Sequence, residues 1–305
     1  MLQSFLFKIK DHRRRQGRRY YLGHLLLFAI LALLSGATSY RKVHAFIQAR
    51  YKTRDEVLDL NWKKLPAYTT IRDIIQGTSP AEIEACFREY SAHLAESESQ
   101  KRFVGFDGKV LRGSFDHFQD QKALQVLSAF LGDSRIILAH EEIAEKTNEI
   151  PTAQELVLKL GLSGYIFTFD ALHYQEKTLE TATDTGNEVI VQVKENQKTP
   201  FNDCQTLAET AAPQDVYQEP TTKARNRIES RRVEIFTPMN LTDVAKWSLV
   251  EAIVKVVRHR LIFDPKTKEW QPGNETSFRR RRLNHRVECP GVLRGHPGTL
   301  ADRKR

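Results

Sequence analysis

Two aspartates stand where a chain could place chemistry. Asp107 closes the run Arg102-Phe-Val-Gly-Phe-Asp107 and precedes Gly108; Asp170 closes Tyr165-Ile-Phe-Thr-Phe-Asp170. Both runs have the short apolar character of buried strands. Carboxylates at the ends of neighbouring strands in an α/β sheet open onto one crevice. Two such groups do not both stay ionised cheaply, and a divalent cation between them resolves the conflict. All-oxygen ligation selects Mg2+ or Mn2+, which can activate water or a 3′-hydroxyl for in-line attack on phosphate. Spacing alone also admits a plainer reading and leans towards it: Asp-Gly is a favoured turn pair, and an aspartate caps a following helix well.

The elements that would carry these residues follow from periodicity. The first ninety residues read as helical: Tyr20–Leu34, Tyr40–Tyr51, Thr69–Ile75 and Pro80–Ala95. Ser79 and Glu82 form a capping-box pattern at the last of these. The polar stretch Glu96–Lys101 is the natural boundary. Beyond it come short strands over Phe103–Phe106, Val110–Leu111, Leu124–Phe130 and Ile136–Ala139, then a helix over Thr152–Leu160. A strand to Asp170, a helix over Tyr174–Thr183 and a strand over Glu188–Lys194 complete a mixed α/β sheet. Past Glu195 the pattern is polar until the strand-like runs Ile228–Phe236 and Leu249–Ile262.

Composition narrows the class. The 305 residues are 40% apolar and 28% charged, enough for two domains with their own cores. Cys86, Cys204 and Cys289 are scattered, which argues against a disulfide framework and for a reducing compartment. Zinc would have to use Cys289 with His285 and His296, without a second ligand pair. The apolar run Leu25–Leu34 is half the length of a membrane span and reads as a buried helix. The net charge of +9 is unevenly spread: residues 279–305 hold nine Lys/Arg against two Asp/Glu, leaving +2 for the rest. Two further basic clusters, Lys8–Arg19 and Lys223–Arg232, suit either a phosphate backbone or a solvated face.

The motifs shift the balance between these readings. Asp11-His-Arg-Arg-Arg-Gln-Gly-Arg-Arg-Tyr20 and the following LGHLLLFAILALLSGATSYRKVHAF resemble the N-terminal domain associated with the H-repeat-associated transposases, a branch of the insertion-sequence DDE superfamily. Phe106-Asp-Gly-Lys-Val-Leu-Arg-Gly-Ser114, Glu145-Lys-Thr-Asn-Glu-Ile150, Thr168-Phe-Asp-Ala-Leu-His173, Val193-Lys-Glu-Asn-Gln197 and Arg227-Ile-Glu-Ser-Arg231 are similar to later blocks of that family, in the same order. The resemblance implies an α/β, RNase H-like mixed-sheet core over residues 101–278 with a β-rich insertion, and an all-helical N-terminal domain over residues 1–95. It implies a DNA transposase that cuts and joins insertion-sequence ends with Mg2+ or Mn2+. Double-stranded DNA is its partner, a homodimer a further one, and the bacterial cytoplasm and nucleoid its place, away from membranes. Asp107 and Asp170 match the first and second catalytic, metal-binding acids. Lys109, Arg112, Lys194, Asn196 and Gln197 then line the rim. DNA phosphates are expected at Arg13, Arg14, Arg15, Arg18, Arg19, Lys109, Arg112, Lys194, Arg225 and Arg227, although Arg225-Asn226 departs from the family's His-Gly pair.

The third acid does not follow. The family places it in a late Arg-Gly-His-Trp-x-Ile-Glu-Asn pattern, whereas here Arg294-Gly295-His296 is followed by neither Trp nor Glu. Glu229 and Glu234 are the distant substitutes. Residues 279–305 therefore read as an aberrant basic tail from a shifted reading frame, since one-nucleotide displacement of the last codons can spell Trp-x-Ile-Glu-Asn. A divergent DNA-binding tail is the other possibility. On this reading the copy is incomplete, and two alternatives stay open: a degenerate DNA-binding remnant without catalysis, or an RNase H-like nuclease that cuts without strand transfer.

Overall fold

A computed structural model describes residues 2–58, 60, 62–95, 103–111, 114, 123–132, 134, 136–143, 149–224, 226–239, 241–242 and 250–282. The chain divides into two compact units, Met1–Ser97 and Glu98–Arg305. The Glu96–Lys101 stretch, Arg112, Arg225, residues 144–148 and residues 283–305 lie outside the described residues.

The described residues of the first unit form the α-helices α1 (Leu2–Leu6), α2 (Leu22–Leu34), α3 (Tyr40–Leu58), α4 (Tyr68–Gln76) and α5 (Pro80–Ala95). α2 is apolar nearly all round because it is the core of the unit. Leu22, Leu25, Phe28 and Ala32 are buried against Val43 and Ile47 of α3, Ile71 and Ile74 of α4, and Trp62. No described helix is long and apolar enough to cross a membrane. Only half of the capping box forms. The Ser79 hydroxyl accepts from the Glu82 N–H at a long 3.5 Å, and the Glu82 carboxylate takes the backbone N–H of Lys10 instead of reaching back.

The second unit is built on one ten-stranded sheet. Its first half consists of β1 (Phe103–Val110), β2 (Gln125–Leu131), β3 (Ile137–Ile143), α6 (Glu149–Leu160), β4 (Ile166–Phe169), α7 (Glu176–Asp184) and β5 (Glu188–Val193). The spatial order is β3-β2-β1-β4-β5, with β1, β2 and β3 antiparallel and β1, β4 and β5 parallel. That order and those directions make the sheet RNase H-like. β1 is a single strand through Val110, with Asp107 opposite Ser128, so the Asp-Gly pair lies inside a ladder and does not start a turn.

The second half contains α8 (Lys198–Thr210), β6 (Asp215–Gln218), β7 (Thr222–Ala224), β8 (Arg227–Phe236), β9 (Ala252–Asp264) and β10 (Glu269–Arg282). β10 returns beside β5, antiparallel, and β9, β8 and β6 extend the same sheet outward. Val193, Cys204, Leu207, Phe236, Ile253 and Phe278 form the core that holds this extension. The arginines expected to begin an aberrant tail instead finish a strand. Arg279 pairs with Gln192 and Arg282 with Val189, and the Arg279 and Arg280 side chains are buried.

Candidate active site

Parallel pairing fixes the relation of the two aspartates. Gly105 of β1 stands opposite Thr168 of β4, and two residues further along each chain stand Asp107 and Asp170. Side chains alternate along a strand, so Asp107 lies on the face of Gly105 and Thr168, and Asp170, one residue past β4 with extended backbone (φ −72°, ψ 165°), continues the same alternation. The opposite face is apolar: Phe106 stacks on Phe169 with ring centroids 4.4 Å apart. Asp170 also does what a cap does, its Oδ1 accepting from the Ala171 N–H at 2.7 Å to open the 3₁₀ turn Ala171–His173. Capping and chemistry are thus compatible, because a second oxygen is left over.

Each carboxylate has an ammonium beside it. Lys194, just past β5, places Nζ 2.7 and 3.0 Å from the two oxygens of Asp170. Lys109 Nζ is 3.9 Å from Asp107 Oδ2. All four side chains are about half exposed. Gln197 differs from the expected rim residue: its Nε2 donates to the Ala171 carbonyl at 3.0 Å, so it braces the turn after Asp170. Asn196 is exposed at the same rim.

The donor set suits a hard cation. Two half-exposed carboxylates match Mg2+, which keeps much of its water and takes one or two protein carboxylates plus phosphate oxygens. Lys194 already shows that a positive charge is accommodated between the Asp170 oxygens. Among the described residues no group of three or more His, Cys, Asp and Glu side chains is gathered for a metal.

Glu229 and Glu234 do not supply a third acid. Both belong to β8, four strand positions from β4, on the order of 19 Å at the usual spacing. Glu229 Oε1 lies 2.6 Å from Arg231 and 3.3 Å from Arg258, and Glu234 is held by Arg232 and Lys255. Burial pushes the Glu234 carboxyl up, and the hydrogen bonds and charges of Arg232 and Lys255 outweigh it, holding it below its ordinary range.

The expected phosphate contacts separate into two kinds. Arg13 is folded inward, its Nε and Nη2 donating to the two Asp11 oxygens at 2.9 and 2.7 Å and Nη2 also to the Tyr20 carbonyl. Arg18 donates to the Arg13 and Asp11 carbonyls. Arg14, Arg15 and Arg19 point outward and are exposed. In the second unit Arg227 is a third exposed and 4.0 Å from Glu229.

The DDE_Tnp_1-associated family matches residues 3–91, the helical unit. "H repeat-associated putative transposase YhhI" of Escherichia coli (strain K12) is 27% identical over 273 residues, covering 88% of this chain and 72% of its own. "H repeat-associated putative transposase YbfD" of the same strain is 26% identical over 196 residues, covering 64% and 77%. Among solved structures, a piggyBac transposase synaptic complex with hairpin DNA aligns with 99% of this chain and 62% of its own, a remote likeness at 10% identity and a TM-score of 0.37. The N-terminal unit is thus similar to the associated domain, and the chain is similar along most of its length to H repeat-associated putative transposases.

Proposed function

We propose that this chain is a metal-dependent DNA transposase whose site is Asp107 and Asp170. The observation that carries the reading is their shared level and face on adjacent parallel strands of a 3-2-1-4-5 sheet. Bound there, Mg2+ or Mn2+ would polarise a phosphate and lower the pKa of a water or 3′-hydroxyl. The chain's own residues hold and orient: Asp170 is fixed by its cap bond, Gln197 braces that turn, and Lys109 and Lys194 supply cations for phosphate oxygens. The hairpin of β9 and β10 continues about ten residues beyond the level of Asp170, roughly 33 Å at strand rise, as a flank for duplex DNA. Its neighbours Lys223 and Arg227, with Arg14, Arg15 and Arg19 of the first unit, would take backbone phosphates. Strand transfer, a homodimeric assembly on two DNA ends and a place on the bacterial nucleoid belong to the same reading.

A radiolabelled duplex carrying the DNA that flanks its own gene, incubated with Mn2+, tests it. Nicking by the wild-type chain should fall by roughly a hundredfold or more in Asp107→Asn and in Asp170→Asn. Equal nicking by all three would reject the site. A second reading is favoured because, among the described residues, no third acid is gathered with the pair into a metal-binding group: a remnant that binds DNA without cutting it. Retarded migration of the duplex with no nicking by the wild-type chain would select that reading.

A further inference from the structure

The last acid of the block Glu145–Ile150 lies beside both aspartate turns. We propose that Glu149 is the positioning residue of the aspartate pair, its carboxylate setting the distance between the end of β1 and the turn that follows β4. This rests on the reading that Asp107 and Asp170 share a divalent cation.

One side of the argument is Gly108. A Cβ built at Gly108 would fall 2.7 Å from Glu149 Oε1 and 2.8 Å from its Cδ and Oε2. Real side chains do not approach so closely, so the carboxylate occupies the place a side chain would fill, one residue after Asp107. The glycine is required by that close approach, since its backbone is ordinary strand. The other side is His173, whose Nε2 lies 3.1 Å from Glu149 Oε1. His173 is 1% exposed and ends the turn that Asp170 caps, with its own N–H donating to the Asp170 carbonyl at 3.0 Å. Its other ring nitrogen is buried without a protein partner, so Glu149 anchors the imidazole. One carboxylate therefore bears on the strand one residue past Asp107 and on the turn three residues past Asp170. The first turn of α6, where it sits, favours a negative charge. Gly108 faces the opposite side of β1 from Asp107, so Glu149 acts through the backbone and not as a ligand.

Mn2+ affinity, read from the electron paramagnetic resonance of the free ion, and thermal unfolding without metal test this on the full chain. Asp107→Asn and Asp170→Asn should abolish Mn2+ binding. Glu149→Ala should weaken it about tenfold with little change in Tm, and Glu149→Gln, which keeps an acceptor for His173, should stay within about twofold of wild type. Gly108→Ala should weaken Mn2+ as Glu149→Ala does, and the double variant should be no weaker than Glu149→Ala alone, because the methyl then meets no carboxylate. Should Glu149→Ala fail to fold, Gly108→Ala carries the same expectation. Wild-type Mn2+ affinity in Glu149→Ala or Gly108→Ala, or losses that multiply in the double variant, would overturn the proposal while the shared-cation reading stands. Intact Mn2+ binding in both aspartate variants would instead bring down that reading, and this proposal with it.

Discussion

At the residue scale the chemistry is a matter of charge balance. Each aspartate is matched by a lysine, so a divalent cation entering the site competes with Lys194 for Asp170. The pair is half exposed and worth no more than about 1 kcal/mol, so Lys194→Gln should tighten Mn2+ at most roughly fivefold. The same variant should bind duplex DNA more weakly, and a Mn2+ titration beside a DNA titration checks both directions. Unchanged values in both would show Lys194 to be a surface cation without a part in the site. The sequence made Asp107 and Asp170 legible because each ends an apolar run. Glu149 is not legible from periodicity, which places the helix over Thr152–Leu160; proline is tolerated in a first helical turn, and α6 begins two residues before Pro151. Another residue-scale effect is Asp11. Burial pushes its carboxyl up, while the Arg13 hydrogen bonds and charge, aided by Arg18, hold it below its ordinary value of 3.8. Its contribution to folding is therefore complete above that value and fades as pH falls through the lower folded one. In Asp11→Asn, the acid-induced loss of stability of the helical unit, followed by circular dichroism, should be shallower below about pH 4.

At the element scale, strands were readable where one face was apolar and opaque where it was not. β10 carries Pro272, Gly273 and a polar run because its outer part stands in a hairpin with both faces wet, so no alternation marks it. α8 hid behind its polar surface, although Phe201, Cys204 and Leu207 are spaced along one side. The four consecutive arginines read in the sequence as the start of an aberrant basic tail, whereas Arg279 and Arg280 are buried. Arg280 donates to the Tyr174 hydroxyl at 2.7 Å and the Pro200 carbonyl at 3.2 Å, with Asp203 at 3.4 Å. Burial lowers the Arg279 pKa to about 10, with Arg258 and Arg231 adding to the effect. Arg280→Met should cost roughly 2–3 kcal/mol, because Tyr174 and the Pro200 carbonyl lose their partner in a closed core. Urea unfolding at constant m-value measures this. The buried thiol of Cys204, raised by burial, should become reactive to a thiol reagent in the same variant.

For the whole molecule, DNA affinity should be a sum of cations that the fold leaves outward. Replacing Arg14, Arg15 and Arg19 by Ala should lower the slope of log affinity against log salt by about 0.9 for each phosphate no longer neutralised, equally on unrelated sequences. Replacing Arg13 and Arg18 should instead melt the loop around Asp11, visible as a lower Tm. If the first triple variant binds as wild type, the arginine run is a structural loop and nothing more. The direction of β10 has a further consequence. Its pairing with β5 starts at the far end of that strand, Phe278 opposite Val193, and runs against it, so Arg282 lies level with Val189, about three strand residues or 10 Å behind the aspartates and heading away from them. Any acid that joins Asp107 and Asp170 from beyond Arg282 must ride a chain that has reversed course. Helical rise of 1.5 Å per residue sets the shortest helical return at about seven residues, two turns of helix laid back along the sheet.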